Sequence, residues 1–347
     1  MPDVTIRGAG IFGLSIAWAC LQRGARVQVI DPGGVGAGSS GGIVGALAPH
    51  TPENWNSKKE FQLDSLLLAG TFWAEIDATS GLSSGYARSG RLQPIPDEIA
   101  LERAKTRGRN AETLWQGKAV WEVVQADRDW APLSPTGYLI HDTLSARIHP
   151  RQACAALAAA FTERGGRILS DAPDQGAVIW ATGAHGLDQL SHELGRPVGG
   201  PNKGQAALLQ PAAPLPPDAP QIFADTVHVI AHADGTIAIG STSEPVFDDP
   251  AATDGKLDAV IVCARAAVPA LQDATLISTW AGLRPRSRSR APVLGTYPGR
   301  AGHFIANGGF KIGFGMAPRI ATVMADLVLD GADHIPDEFR LEPPGTA

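Results

Sequence analysis

The chain has 347 residues with 44% hydrophobic and 18% charged side chains, as in a soluble globular protein, and this length allows two domains or one large one. Its formal net charge of −6 provides no overall basic field for phosphate, so we expect no nucleic-acid partner. Cys20, Cys154 and Cys263 are too widely separated for a disulfide framework or a metal site, and we expect small apolar fillers in a reducing compartment.

Residues 1–31 have the pattern of a strand, a glycine turn, a helix, a second strand and an acid. In a dinucleotide-binding unit, Gly8 would make the tight turn, Gly10 would let the backbone approach a pyrophosphate, and Gly13 would let the helix pack on the strand. The anion would lie at the helix N-terminus, and Asp31 would bind a ribose hydroxyl. An acid at position 31 disfavours NADP and leaves NAD or FAD open. The candidate cofactor contacts here are Gly8, Gly10, Ile11, Phe12, Gly13 and Asp31.

An ordinary glycine-rich turn between a strand and a helix is the alternative interpretation of this segment. The apolar side of the following helix, with Gly24 at its end, favours the nucleotide site. The nearly uncharged run over residues 9–21 is too short to cross a bilayer and follows no basic leader. We therefore expect a cytoplasmic protein with no membrane partner.

A loop of small residues over positions 32–42 comes next. Such a loop can place several backbone N–H groups against a phosphate or a ring, although a flexible surface loop would have the same composition. The apolar residues 43–49 after it suggest backbone that lies along a buried, flat ligand. The candidate contacts in this region are Pro32, Ser39, Ser40, Gly42, Ala46 and Leu47.

Hydrophobic spacing and turn residues predict the remaining elements in chain order. Asp234-Gly235 lies between two apolar runs and predicts a hairpin turn. The last helix is predicted from about Pro318 to Gly331. The other predicted elements are helices over 58–79, 98–116, 149–165 and 255–270, and strands over 86–95, 137–140, 177–183, 203–242 and 303–306.

Taken together, these stretches resemble the FAD-dependent amine and amino-acid oxidases, the family of D-amino-acid oxidase, glycine oxidase and sarcosine oxidase, with glycine oxidase the nearest likeness. The resemblance covers most of the chain and rests on the glycine turn, the Ser39-Ser40-Gly41-Gly42 loop, Ala181-Thr182-Gly183, Trp280 to Pro285, and Gly308 to Lys311. It implies an α/β and α+β fold, with a Rossmann-like FAD-binding lobe built from βαβ units and an inserted antiparallel-sheet substrate lobe. The implied FAD-binding segments are 1–50, 145–200 and 278–347, and the substrate segments are 51–144 and 201–277.

The resemblance also implies a role for Arg284, which matches the arginine that holds the substrate carboxylate in the amino-acid oxidases. A planar guanidinium can form two parallel hydrogen bonds with a carboxylate, which supports this role. The alternative is a surface arginine among Arg286, Arg288 and Arg290. Thr182, Gly183 and Gly282 are further cofactor contacts by the same likeness.

Residues 308–313 would pass beside the isoalloxazine ring, and the helix after them would point its positive N-terminus at the flavin. Lys311 matches a position that is basic in relatives and either stabilises negative charge on the flavin or is solvated. No cysteine lies near this loop, so we expect non-covalent FAD. The candidate contacts are Gly308, Gly309, Phe310, Lys311 and Gly313.

Two departures from the family pattern stand out. His228 stands where relatives carry a tyrosine, and a histidine that titrates near neutrality could take a proton from the substrate ammonium, although a structural histidine is the alternative. The link from Leu169 to Ala177 is short, whereas relatives commonly carry a small sheet there that covers the adenine.

The expected activity is oxidation of a small amino acid or secondary amine by hydride transfer to FAD, with O2 as acceptor, giving an imine and hydrogen peroxide. A dehydrogenase that passes electrons to a quinone or carrier protein is one alternative. A flavin-binding module of a larger complex without turnover is another. The sequence is compatible with a homo-oligomer and does not choose the amine.

Overall fold

The described part of the chain, residues 1–341 of this computed structural model, combines βαβ segments with runs of consecutive strands. The strands are β1 Val4–Arg7, β2 Val27–Ile30, β3 Ala46–Leu47, β4 Arg91–Pro94, β5 Trp121–Gln125, β6 Tyr138–Asp142, β7 Ala146–Arg147, β8 Arg167–Leu169, β9 Ala177–Trp180, β10 Gly199–Gln210, β11 Gln221–Ala224, β12 Val227–Ala231, β13 Ile237–Gly240, β14 Thr275–Ser287, β15 Val293–Thr296 and β16 His303–Asn307. The α-helices are α1 Ile11–Gln22, α2 Ser57–Ser80, α3 Glu98–Leu114, α4 Pro150–Glu163, α5 Gly183–Glu193, α6 Gly255–Ala267 and α7 Gly313–Ala325.

The first large sheet forms around the N-terminal strands, in the order β15-β16-β9-β1-β2-β8. β1 pairs in parallel with β2 and with β9, and within this sheet the β15–β16 pair is antiparallel. β2 is buried along its whole length, as expected for a parallel strand covered on both faces. Helix α1 connects β1 to β2 and buries most of its residues. This arrangement is the predicted βαβ unit.

The second large sheet has the order β14-β10-β13-β12-β11-β4-β6-β5, and within it the β11–β4 pair is parallel while the others are antiparallel. The predicted Asp234-Gly235 turn joins β12 to β13, and Gly235 has a φ of +85°, which a glycine adopts without a Cβ clash. Strand residues such as Ile239 share a core with Leu257 of α6. The two sheets together confirm the predicted fold class, in which one lobe is α/β and the other is α+β.

The expected boundary at residue 278 falls inside strand β14. This strand pairs antiparallel with β10 from Gly199–Ser287 to Gln210–Thr275, so it is part of the second sheet. Arg284 and its neighbours therefore stand on the second sheet, opposite the glycine turn. The last six residues of the expected segment 278–347 lie outside the described residues.

Several elements differ from the sequence predictions, among them the last helix, helix α5 and strand β5. The last helix starts at Gly313 rather than near Pro318, because the Met316 N–H donates to the Ile312 carbonyl at 3.0 Å and the helix tolerates the proline within it. Helix α5 was not predicted, since it begins at a glycine and has no side-chain cap. Strand β5 was not predicted either, because its mostly exposed edge position weakens the hydrophobic signal.

Across residues 1–341, no helix combines the length and the hydropathy that a membrane crossing requires.

Candidate active site

A cavity of about 840 Å³ lies between the two sheets, a volume within the usual range for small-molecule sites. One end, which we call the glycine-turn end, is lined by Gly8, Gly10 and Asp31 of the first sheet. The other, the arginine end, is lined by His228 and Arg284 of the second sheet. The fold therefore brings most of the predicted site residues to one cavity.

The three glycines of the opening turn are close to other backbone. Gly8 has a φ of +112°, and a Cβ on it would lie 2.3 Å from the Ala181 carbonyl oxygen. A Cβ on Gly13 would lie 1.9 Å from the Gly8 carbonyl oxygen. Only glycine therefore allows β1, α1 and the end of β9 to approach this closely. Gly10 lines the cavity, with a Cβ position 3.1 Å from the Ser40 hydroxyl.

The N-terminus of α1 faces the cavity without a side chain from its own N-cap residue, Gly10. The Ser40 hydroxyl accepts a hydrogen bond from the Ile11 N–H at 3.0 Å, so this predicted cofactor residue also caps the helix. The Phe12 and Gly13 N–H groups have no acceptor within the described chain. Free N–H groups at a helix N-terminus attract an anion.

Asp31 ends β2 at the same part of the cavity. Its carboxylate accepts hydrogen bonds from the Ala9 N–H at 2.8 Å and the Gly33 N–H at 2.9 Å. These bonds fix the glycine turn against the next loop. Because a carboxylate has about four acceptor positions, capacity remains for a ligand hydroxyl.

Four predicted cofactor residues do not line the cavity. Gly13 packs against Gly8, and Leu47 is 1% exposed in the core. A Cβ on Gly282 would lie 2.4 Å from the Trp280 ring, so this glycine makes room for the indole. Gly308 is behind the lining, where its N–H is bonded to the Asn307 side chain at 2.8 Å. These four residues pack around the cavity, and their contact with a cofactor stays a prediction.

The remaining predicted cofactor residues line the cavity. They are Gly8, Gly10, Ile11, Phe12, Asp31, Pro32, Ser39, Ser40, Gly42, Ala46, Thr182, Gly183, Gly309, Phe310, Lys311 and Gly313.

Arg284 is 8% exposed and lines the arginine end. Its guanidinium donates to the Ser241 hydroxyl at 2.7 Å and to the Thr242 carbonyl at 3.1 Å. Burial lowers its pKa to about 10, and the charge of Glu244 opposes that shift. No carboxylate in residues 1–341 forms an ion pair with it, so a buried cation faces the cavity.

Gly204 decides where this guanidinium lies. A Cβ at position 204 would be 1.8 Å from Nη1 of Arg284. The Arg284 side chain therefore crosses the surface of β10 at a residue with no side chain of its own. We did not single out Gly204 from the sequence, because the contact depends on the β10–β14 register.

His228 lies on β12, with its ring centroid 4.5 Å from that of Phe223. Burial lowers its pKa to about 3, and the charges of Arg91, Lys311 and Arg284 add to the shift. Neither ring nitrogen has a hydrogen-bond partner in the described residues. His228 is thus neutral at neutral pH and a weak base, so the expectation that it titrates near neutrality is wrong.

The N-terminus of α7 points at the cavity, since Gly313 and Phe314 both line it. Ile312, the N-cap residue, provides no side-chain hydrogen bond. Because the helix starts at Gly313, its positive end lies closer to the cavity than a start near Pro318 would place it. Phe310 has a φ of +40°, and its N–H donates to the Pro285 carbonyl at 3.0 Å, which fixes the loop to β14.

Several lining residues were not predicted from the sequence. Trp180, His185 and Gln189 are at the end of β9 and on α5, a helix that the sequence analysis missed. The Trp180 indole N–H donates to His303 at 3.0 Å. Phe223, Thr226, Ser241 and Asn307 complete the unpredicted polar and aromatic lining. For Trp180, the sequence offered one signal, the predicted strand that ends in Ala181-Thr182-Gly183 directly after it.

The short link after β8 packs against β1. Arg7 forms an ion pair with Asp174 at 2.8 Å, and the Thr5 hydroxyl donates to the Gln175 carbonyl at 2.7 Å.

In residues 1–341 no three His, Cys, Asp or Glu side chains are grouped as metal ligands.

The sequence matches the family described as FAD dependent oxidoreductase (DAO) over residues 3–327. The glycine oxidase of Pseudomonas putida is 28% identical over 99% of this chain and 98% of that enzyme. The crystal structure of glycine oxidase from Geobacillus kaustophilus has a TM-score of 0.83 at 22% identity, covering 98% of both chains. Iminodiacetate oxidase from Chelativorans has a TM-score of 0.83 at 24% identity, over 97% of this chain and 98% of that one. Because the family match spans nearly the whole sequence, this chain belongs to the DAO family of FAD-dependent oxidoreductases.

Proposed function

We propose that this chain catalyses the FAD-dependent oxidation of a small amino acid or secondary amine to an imine, with Arg284 holding the substrate carboxylate and O2 as the electron acceptor. The observation that carries the proposal is the buried Arg284 guanidinium, which faces the cavity and has no ion-pair partner in the described chain. A buried cation of this kind is stabilised when an anionic ligand pairs with it.

The residues at the glycine-turn end fit FAD. The unpaired N–H groups of Phe12 and Gly13 suit the pyrophosphate, and Asp31 retains acceptor capacity for a ribose hydroxyl. Gly309 and Gly313 line the cavity before and at the start of α7, and a Cβ on Gly309 would lie 2.9 Å from the Phe12 ring. When bound, FAD supplies the acceptor for the substrate hydride and, on reoxidation by O2, the electrons that form hydrogen peroxide.

Arg284 orients the substrate in this proposal. Its guanidinium has five N–H donors, and the described contacts with Ser241 and Thr242 use two of them. The others can hold a carboxylate, which fixes the direction of the neighbouring carbon–hydrogen bond. Gly204 sets the position of the guanidinium, and the Ser241 and Thr242 contacts prevent its rotation.

His228 acts as a neutral hydrogen-bonding group rather than as a proton acceptor. Its depressed pKa follows from burial beside three cations, which also disfavour an ammonium ion at this end of the cavity. The substrate amine is therefore expected to react in its neutral form, having lost its proton to solvent. The pH dependence of turnover then reports the substrate ammonium.

The named relatives support an amine as the substrate class. Two are glycine oxidases, and glycine is an amino acid with a primary amine. The third is named for iminodiacetate, a secondary amine with two carboxylates. All three names describe an amine with a carboxylate one carbon away. Arg284 suits that shared feature.

An anaerobic titration tests the proposal. The purified holoenzyme is mixed with glycine, sarcosine, iminodiacetate and the D- and L-amino acids, and the flavin absorbance is followed. We expect at least one of these amines to bleach it. If none does, the substrate class is wrong, and a flavin-binding module without turnover becomes the better interpretation.

Oxygen consumption then distinguishes the acceptors. Turnover with stoichiometric hydrogen peroxide in air supports the oxidase. Flavin bleaching without oxygen uptake, followed by reoxidation with a soluble quinone, would establish a dehydrogenase instead.

A further inference from the structure

The arginine end of the cavity carries more positive charge than one carboxylate can neutralise. Besides Arg284, Lys311 lines the cavity, and Arg286 contacts the same Phe310 ring as Lys311 does. The Arg286 guanidinium and the Lys311 ammonium both lie 5.7 Å from the centroid of the Phe310 ring. Within residues 1–341, none of these three cations is in an ion pair. Arg284 and Lys311 therefore line the arginine end of the cavity, and Arg286 is a third cation close to them.

The acidic side chains nearby are occupied elsewhere. Among the described residues, Asp31 is the one carboxylate on the cavity lining, and it is bonded to the backbone of the glycine turn and the next loop. Asp142 forms an ion pair with Arg91 at 2.9 Å, and Glu244 forms one with Lys256 at 2.8 Å. The protein thus provides no counter-charge for Lys311 within the described chain, although its overall charge is −6.

The Lys311 ammonium contacts the Phe310 ring and has no ion-pair partner in residues 1–341. Desolvation at the cavity wall and the repulsive charges of Arg284 and Arg286 lower its pKa, although the residue keeps a solvent-exposed surface. A substrate with one carboxylate would neutralise Arg284 and leave Lys311 without a partner. A second carboxylate would relieve the remaining repulsion.

Resting on the proposed function, we infer that the preferred substrates are amines with two carboxylates, the first held by Arg284 and the second by Lys311. His228 lines the same cavity in its neutral form and adds no further cation there. Lys311 thereby determines specificity for the second carboxylate. The positive N-terminus of α7 stabilises negative charge on the cofactor, so Lys311 is not needed for that role.

Binding of unreactive carboxylates to the oxidised holoenzyme tests this inference. Acetate and propionate are compared with malonate and succinate, and the shift in flavin absorbance gives each dissociation constant. We expect the dicarboxylates to bind at least about tenfold more tightly, as for one additional charge-assisted hydrogen bond. With substrates, the ratio of kcat/KM for iminodiacetate over sarcosine should exceed one by a similar factor.

Substitution of Lys311 then assigns the preference. We expect Lys311→Met to weaken dicarboxylate binding about 10- to 100-fold, while acetate binding changes little and Lys311→Arg retains the preference. Arg288→Met is the matched control, because Arg288 follows directly after β14 and is an exposed cation that does not line the cavity. Lys311 is exposed, so these variants should fold.

The outcomes separate the two levels of inference. Equal binding of mono- and dicarboxylates by the wild-type protein overturns the inference, even if glycine or sarcosine bleaches the flavin. An equal loss of both classes in Lys311→Met, or a lowered flavin reduction potential, shows that Lys311 acts on the cofactor and also overturns it. If dicarboxylates bind tightly and depend on Lys311 but no amine bleaches the flavin, the two-carboxylate site stands and the proposed oxidation fails.

Discussion

At the glycine-turn end of the cavity, the groups that face a ligand come from two neighbouring stretches of chain, the turn over residues 8–13 and the segment over residues 31–42. At the arginine end, they are side chains on strands far apart in the sequence, such as His228 on β12 and Arg284 on β14. The first end depends on close backbone packing, and the second depends on buried charge. We infer from this difference that the first end suits the constant cofactor through local geometry, whereas the second suits a variable substrate through a few side chains.

The largest effect should come from removal of the Arg284 guanidinium. We expect Arg284→Ala to lower kcat/KM for carboxylate substrates by at least about 100-fold, because two charge-assisted hydrogen bonds are lost, while bound FAD is retained. Steady-state kinetics and the flavin spectrum measure the two effects separately. Arg288→Ala is the control for loss of a nearby charge. Unchanged kinetics in Arg284→Ala would remove the arginine from the substrate site.

The next prediction concerns backbone packing at the other end. Gly13→Ala should lower the free energy of unfolding by about 1–3 kcal/mol and weaken FAD retention, since its Cβ would lie 1.9 Å from the Gly8 carbonyl oxygen. Chemical denaturation with and without added FAD measures both effects. Gly70→Ala in α2 is the control, because no atom lies within 4 Å of its Cβ position and the exchange should stabilise the helix. Equal stability of Gly13→Ala and wild type would contradict the packing argument.

A smaller change at Gly204 sharpens the comparison, since this glycine acts on a side chain instead of a backbone. We expect Gly204→Ala to displace the Arg284 guanidinium and raise KM for carboxylate substrates about tenfold, with FAD content unchanged. Gly200→Ala on the same strand is the control, because the nearest atom to its Cβ position is 3.6 Å away. Loss of FAD in Gly204→Ala with a normal KM would place the defect at the glycine-turn end and contradict this prediction.

The smallest expected effect is on the pH profile of His228→Gln. Because the pKa of His228 is about 3, the imidazole stays neutral between about pH 5 and 9 and does not shape the rate there. The profile of kcat/KM should therefore rise with the ionisation of the substrate ammonium in both proteins. A limb that disappears in His228→Gln would show that the histidine takes a proton during turnover.

The sequence was informative where chemistry follows from neighbours along the chain. Gly8, Gly10, Gly13 and Asp31 are arranged by one turn and two strands, so their spacing predicted the βαβ unit. The four predicted residues outside the lining show the limit of such reasoning. A motif locates a glycine, but not whether its missing side chain makes room for a ligand or for the Trp280 indole.

The arginine end was less predictable because its geometry is set by strand register. Arg284 was found through family resemblance, whereas Gly204 becomes visible only when β10 pairs with β14. The pKa of His228 likewise depends on burial and on cations from three other elements, which local sequence does not show. Helix α5, with His185 and Gln189, was missed for lack of a capping signal.

By itself, the sequence determined the nucleotide-binding turn and most of the helices, because hydrophobic periodicity and glycine spacing act over short stretches of chain. Family resemblance added the candidate arginine. Only the tertiary structure decided which charges remain unpaired. Long-range strand pairing buries Arg284 without an ion-pair partner in residues 1–341 and brings Lys311 to the same cavity, and the free energy of a buried charge depends on every group packed around it.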